Sequence, residues 1–249
     1  MAAPAAHART QRALVPLFAP ARAVALDVIV VAIPALNEAQ FISGVVGDVL
    51  REGYECVVVD DGSTDHTGAI ARRAGAAVVR HPITLGQGAA LQTGIDWALR
   101  RGADAIVTFD ADGQHRASEI RSLLDSLSNN GADYALGSRF LGETINLPRL
   151  RAVLLRAAIW FTRFATGMHV TDTHNGLRAM TRRGATALQL QQPGMAHASE
   201  ILHQIADSRL PWIEVPVTIE YTEASLEKGQ GNGDFFSILV DLLMGRLAG

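Results

Sequence analysis

The chain has 249 residues, 48% of them apolar, and a formal net charge of −3. That length fits one sizeable α/β domain, or a domain with a small appendage, with enough apolar material for a buried core. The charge balance excludes a protein that coats nucleic acid, and a single cysteine, Cys56, excludes a disulfide framework and fits a reducing cytoplasm.

Residues 1–25 are Ala-rich, and Ala21-Arg22-Ala23 loosely resembles a signal cleavage site. Pro16 and Pro20 interrupt the one apolar stretch before it, so the segment reads as a flexible extension. No run approaches the roughly 20 apolar residues that span a bilayer. Beyond it, short apolar runs alternate with helical patterns. Strands are expected at Asp27–Ile33, Glu55–Asp60, Ala76–Arg80, Asp104–Phe109 and Tyr134–Gly137, with helices near 39–51, 64–74, 88–101 and 116–129. The runs do not alternate polar with apolar, which marks strands buried on both faces. Strand–helix alternation then predicts a Rossmann-like, mostly parallel sheet flanked by helices. Such sheets bind ligands beyond the carboxyl ends of their strands.

The second half opens with an amphipathic helix, Arg149–Thr166, and a polar loop, Thr171–Arg178. Helices near 181–189 and 196–208, a strand Trp212–Glu220, a Gly-rich stretch Lys228–Gly233 and an apolar helix Asp234–Leu247 follow. At about 14 residues the last helix is too short to span. Packing on the domain or pairing with a second copy, as a homo-oligomer, ranks ahead of peripheral contact with a membrane.

Polar clusters stand where this topology puts a ligand. After the first strand Pro34 stops the run, and Asn37-Glu38 opens the next helix. After the second come Asp60-Asp61-Gly62-Ser63-Thr64-Asp65, in which Ser63 is placed to cap the following helix. After the fourth comes Phe109-Asp110-Ala111-Asp112-Gly113-Gln114-His115. Two carboxylates two residues apart can share a crevice, and Mg²⁺ and Mn²⁺ favour carboxylates together with substrate phosphates. An EF-hand loop is excluded, because Gly113 and Leu123 fall where that loop needs other residues. A haloacid-dehalogenase-type phosphatase wants the acidic pair after the first strand and Thr or Val where Gln114 stands. Gly86-Gln87-Gly88 lacks the third glycine of a dinucleotide fingerprint, since Leu91 takes its place.

Together, Pro-Ala-Leu-Asn-Glu, Val-Val-Val-Asp-Asp-Gly-Ser-Thr-Asp, Leu-Gly-Gln-Gly, Phe-Asp-Ala-Asp-Gly-Gln-His and Gly-Ser-Arg-Phe resemble family 2 glycosyltransferases. Within them the chain is most similar to the dolichol-phosphate mannose synthase branch and its bacterial polyprenyl-phosphate relatives. The resemblance runs from about Val28 to Arg178 and more loosely to Asp241. It implies a GT-A fold over residues 26–249, with a nucleotide-sugar half at 26–140 and an acceptor half at 141–249. It implies inverting transfer from a UDP- or GDP-sugar with Mg²⁺ or Mn²⁺. By resemblance, Pro34 and Glu38 line the nucleotide pocket, Asp61 meets the base, and Gly86 lets the chain approach the donor. Asp110 lies near the ribose or metal, Asp112 is the principal metal ligand and Gln114 a third. Arg139 faces the reacting phosphates. Asp172 and Arg178 correspond to a family Asp-x-x-Ser-Gly-Phe-Arg segment, with Asn175 and Leu177 departing from it and Thr84 departing from the usual Asn.

Two acceptor chemistries remain open. A glycan hydroxyl needs a general base, for which Glu200 is the candidate, on one helix face with His197. A lipid phosphate needs cations instead, and Arg149, Arg151 and Arg156 are candidates. Lys228 resembles a lid residue. A nucleotide-sugar-binding protein without turnover is the reading outside the enzyme class.

Overall fold

A computed structural model describes residues 26–146, 149–192 and 197–221. The expected extension 1–25, Lys228, the Gly-rich stretch and the helix 234–247 lie outside these residues. Seven strands form one sheet in the order β3-β2-β1-β4-β6-β5-β7. They are β1 (Ile29–Ala35), β2 (Glu55–Asp60), β3 (Ala77–Arg80), β4 (Ala105–Thr108), β5 (Tyr134–Ile145), β6 (Arg178–Thr181) and β7 (Trp212–Glu220). Every neighbouring pair is parallel except the two made by β6, which runs against both β4 and β5.

Successive side chains of a strand point to opposite faces, so β1 supplies two cores. Val31 and Ile33 pack with α1 (Ile42–Arg51) and α4 (Ile120–Asn130), while Val30 and Ala32 pack with α3 (Gln87–Arg100) and α7 (His197–Ser208). Helix α1 buries Ile42, Val45, Val46 and Val49, the spacing that puts one stripe on the sheet. Helix α2 (Thr67–Ala74) lies beside α1, and α6 (Arg182–Ala187) follows β6 directly. Helix α5 (Arg149–Thr166) joins β5 to the polar segment before β6. The expected GT-A class, a mostly parallel sheet flanked by helices, is the one observed.

Several local expectations change. Strand β1 runs through Pro34 to Ala35, pairing Pro34 with Val59 on β2. Its pairing with β4 ends at Ala32, so the missing proline N–H leaves no gap on that edge. Helix α1 starts at Ile42 rather than near 39, because Asn37 adopts φ 55° and Phe41 N–H closes a turn on the Glu38 carbonyl. Ser63 does not cap α2. Its Oγ accepts from Asn37 N at 3.0 Å, and the Asp65 carboxylate accepts from Thr67 N instead. The helix expected at 116–129 begins as a 3₁₀ turn, Ala117–Glu119. Strand β5 extends eight residues past Gly137. Its exposed second half pairs with β7 after an irregularity between Ser138 and Glu143. The polar loop expected at Thr171–Arg178 ends in strand β6, whose four residues fill the space between β4 and β5.

Candidate active site

A cavity of about 470 Å³ opens beyond the carboxyl ends of β1, β2 and β4, beside the head of the antiparallel β6. Nine residues singled out from the sequence for the donor, metal and phosphates line it: Pro34, Glu38, Asp61, Gly86, Asp110, Asp112, Gln114, Arg139 and Arg178. The sheet order lays them out in sequence, with Asp61 after β2, Pro34 on β1, the Asp110–Asp112 pair after β4, Arg178 on β6 and Arg139 on β5. The cavity therefore grades from a wall with Glu38 and Asp61, through an acidic centre, to a cationic end.

At the first end the loops after β1 and β2 interlock. Glu38 N donates to Thr67 Oγ1 at 2.8 Å, Ala39 N to Asp65 Oδ2 at 3.1 Å, and Thr64 N to Asn37 Oδ1 at 2.9 Å. Asp61 is buried, and both its oxygens serve the protein. Oδ1 pairs with His81 Nδ1 at 2.7 Å and accepts from Leu85 N at 2.9 Å, while Oδ2 accepts from Gly86 N at 2.8 Å. Asp61 thus pins the loop that opens α3. Gly86, at φ 98°, holds a backbone conformation that side chains resist.

At the centre, His115 Nε2 lies 2.9 Å from Asp110 Oδ2, and Gln114 N donates to Asp112 Oδ1 at 3.0 Å. Burial alone would raise the Asp110 carboxyl, but the hydrogen bond and charge of His115, with the charges of Arg178 and His197, hold it below the usual range. Burial and the neighbouring Asp110 charge push Asp112 up to about 6. In two confined carboxylates, the one held charged raises the proton affinity of its neighbour. Among the described residues no three His, Cys, Asp or Glu groups converge as a closed metal cage. Two carboxylates with an amide oxygen fit a hard divalent ion that completes its shell with phosphate and water.

At the cationic end the two arginines differ. Arg139 donates through Nε to Asp172 Oδ2 at 2.6 Å, through one terminal nitrogen to the Tyr221 hydroxyl at 2.5 Å and through the other to the His174 carbonyl at 2.8 Å. Every nitrogen of its guanidinium is engaged by the protein. Arg178 is 5% exposed and makes no side-chain hydrogen bond among the described residues. Burial pulls its pKa below the ordinary value against the attraction of Asp110 and Asp172. His174 joins it on the wall. Its Nδ1 meets Thr173 Oγ1 at 2.7 Å, its Nε2 is buried without a partner among the described residues, and burial lowers its pKa to about 4. The ring is therefore neutral at physiological pH.

Glu200 is absent from the cavity wall, and Asp172 is buried behind it against Arg139. The Glu200 carboxylate accepts from Gln191 N and Gln192 N, each at 2.9 Å, and so ties α7 to the segment before it. His197, three residues earlier, does line the cavity. Arg156 is exposed on α5, and the side chains of Arg149 and Arg151 lie outside the described residues.

The family profile for Glycosyl transferase family 2 matches residues 30–185, which carry the whole acidic centre and both arginines. The chain is a family 2 glycosyltransferase. It is 32% identical over 234 residues to a UDP-N-acetylglucosamine–dolichyl-phosphate N-acetylglucosaminyltransferase of Methanococcus voltae, covering 85% of this chain and 93% of that one. It is 34% identical over 218 residues to a polyprenol monophosphomannose synthase of Mycolicibacterium smegmatis, covering 81% of each. Among solved structures, glucosyl-3-phosphoglycerate synthase from Mycobacterium tuberculosis, crystallised with Mn²⁺ and UDP-glucose, superposes with a TM-score of 0.68 at 23% identity. That match covers 88% of this chain and 78% of that one and establishes the shared fold.

The sequence reading of this glycosyltransferase passed over His115, His174 and Gly176, all on the cavity wall. Gly176 matters because its backbone presses on Asp110, leaving no room for a side chain. The glycine in Asp172-Thr173-His174-Asn175-Gly176 was a visible signal; the orphaned ring nitrogen of His174 was not.

Proposed function

We propose that this glycosyltransferase moves a sugar from a UDP- or GDP-linked donor to the phosphate of a polyprenyl lipid, with inversion at the anomeric carbon. The observation that carries the reading is the composition of the cavity beyond β4. Arg178 and Arg139 line that end, with the neutral His174 beside them, and the lining acids are all at or before Asp112. An anionic acceptor needs positive charge and no general base, whereas a hydroxyl acceptor needs a base. Glu200, the base candidate for a hydroxyl acceptor, is occupied outside the cavity by Gln191 N and Gln192 N, which favours the phosphate.

In this reading the nucleoside lies between Pro34, Glu38 and the loop that Asp61 pins at Leu85–Gly86. Asp110, Asp112 and Gln114 would hold Mg²⁺ or Mn²⁺, which would supply Lewis-acid stabilisation of the departing diphosphate. Arg178 pairs with the acceptor phosphate, for which a guanidinium has matching geometry. A phosphate oxygen attacks the anomeric carbon opposite the diphosphate. The new C–O bond forms as the old one breaks, and the nucleoside diphosphate leaves with the electron pair. No proton moves, and a single displacement inverts the centre. The relatives named for dolichyl-phosphate and polyprenol acceptors support the same assignment. The enzyme then works at the cytoplasmic face of a membrane, with its acceptor half contributed by the C-terminal part of the chain.

The test is transfer from a panel of UDP- and GDP-sugars, with Mn²⁺ or Mg²⁺, to undecaprenyl phosphate and to free saccharides. Product on the lipid phosphate, lost in Arg178→Ala, is expected. Transfer to saccharides alone, indifferent to Arg178, would overturn the assignment.

A further inference from the structure

Helix α5 carries two apolar faces, and the described residues cover one. Leu155, Ala158 and Ile159 are buried, whereas Val153, Trp160 and Phe164 are 62%, 72% and 81% exposed. The exposed three are seven and four residues apart, with exposed Ala157 between, so they form a single stripe. The Trp160 and Phe164 rings stack, with centroids 6.2 Å apart and planes 11° from parallel. The stripe is therefore an ordered aromatic ledge.

The charges on the same helix are of one sign. Its 18 residues include Arg149, Arg151, Arg156 and Arg163 and no acid. Two copies meeting through this stripe would bring like charges together, which disfavours self-pairing. An anionic lipid surface complements both features. Aromatic rings settle at the headgroup level of a bilayer, and arginine stems reach along apolar surface while their heads stay with phosphate. At 18 residues the helix is about 27 Å long, ample to lie in the plane of the interface.

Its place in the chain adds a reason. Helix α5 begins four residues after β5, the strand of Arg139, and leads within six residues to Asp172 and the segment of His174, Gly176 and Arg178. Its outgoing end thus leads directly into the segment that forms the cationic end of the cavity. Arg163 fastens the outgoing end, donating through Nε to the Val170 carbonyl at 2.7 Å.

We propose that α5 docks on an anionic lipid surface through Val153, Trp160 and Phe164, bringing the cationic end of the cavity to membrane-borne acceptor. The purpose of this docking rests on the lipid-phosphate reading; the docking itself does not. The full chain should float with vesicles of phosphatidylglycerol and phosphatidylcholine and far less with phosphatidylcholine alone. Trp160→Ser with Phe164→Ser should cut partitioning at least tenfold at unchanged melting temperature. Tryptophan emission should shift blue on vesicles, and Trp160→Phe should remove most of the shift although Trp97 and Trp212 remain. Turnover of a short, water-soluble prenyl phosphate should be unaffected by the double variant. Full-length protein that ignores anionic vesicles, or a double variant that binds them as wild type does, would sink the proposal. So would a double variant whose only change is loss of an oligomer. Transfer to soluble prenyl phosphate without vesicle binding would leave the acceptor assignment standing and the docking refuted. Vesicle binding with transfer to saccharides alone would do the reverse.

Discussion

Gly176 runs its backbone against the carboxylate of Asp110 so closely that a Cβ there would overlap both oxygens. The contact is fixed from behind, because Thr108 Oγ1 donates to the Gly176 carbonyl at 2.6 Å. Gly176→Ala should therefore displace Asp110. Overpacking of this kind costs about 1–3 kcal/mol. We expect a lowered melting temperature and at least a tenfold loss in kcat/KM, both read on one preparation. Wild-type kinetics in the Ala variant would remove Asp110 from the machinery.

Asp112→Asn should abolish metal-dependent turnover and stabilise the metal-free protein above neutral pH. The Asp112 carboxyl, half-buried beside Asp110, titrates at about 6 when folded, above its ordinary value of 3.8. The folded state thus holds this proton more tightly than the unfolded one. Its contribution to metal-free stability falls as pH rises from about 4 to 6 and stays lost above that. At about 1.4 kcal/mol per unit, discounted for partial exposure, the penalty is about 1–2 kcal/mol. Thermal melts in chelator at pH 8 should place the Asn variant above wild type, with Mn²⁺ reversing the order. An Asn variant that melts lower in chelator would contradict this account.

Arg139→Ala and Arg178→Ala should part company. The first strands Asp172, a buried carboxylate whose low pKa depends on Arg139 despite the opposing effect of burial. Breaking such a pair costs about 3–5 kcal/mol, so a large drop in melting temperature should accompany any loss of activity. The second removes a buried cation without a side-chain hydrogen bond. Its variant should melt at or above wild type, while kcat/KM toward a phosphate acceptor falls about 100-fold, roughly 2.7 kcal/mol, within the range for a charged hydrogen bond. Equal melting behaviour in the two variants would erase the distinction.

Glu200→Gln should be mild. The variant keeps one acceptor for Gln191 N and Gln192 N, so a loss of about 1 kcal/mol in stability and less than threefold in kcat is expected. A fall of 10²-fold or more in kcat is on the scale of a lost general base. It would restore Glu200 as the base and the glycan hydroxyl as acceptor.

Asp61→Ala should raise the donor KM and lower the melting temperature together. The side chain holds two backbone N–H groups of the Leu85–Gly86 loop as well as His81, so the loop and the pocket loosen as one. A higher donor KM at unchanged melting temperature would mean that Asp61 acts on the nucleoside directly.

The layered sheet, the placement of polar clusters and the acidic pair were legible in the sequence because each depends on neighbours a few residues away. Four consecutive buried residues in Val30–Ile33 or Cys56–Val59 need no distant partner to read as strand. Parallel topology then dictates where Asp61 and Asp110 emerge. Strand β6 was invisible, since Arg178–Thr181 is strand only by filling the space between β4 and β5. The roles of the arginines were invisible for the same reason. Arg139 is consumed by Asp172, 33 positions away, and by Tyr221, 82 positions away. Arg178 makes no side-chain hydrogen bond among the described residues and feels Asp110 and Asp172 only through their charge. His197 and Glu200 share a helix, yet one lines the cavity and the other caps the chain at Gln191 and Gln192. Local periodicity determines which face a residue takes. Which charge it meets there is decided by segments that only the folded sheet brings together.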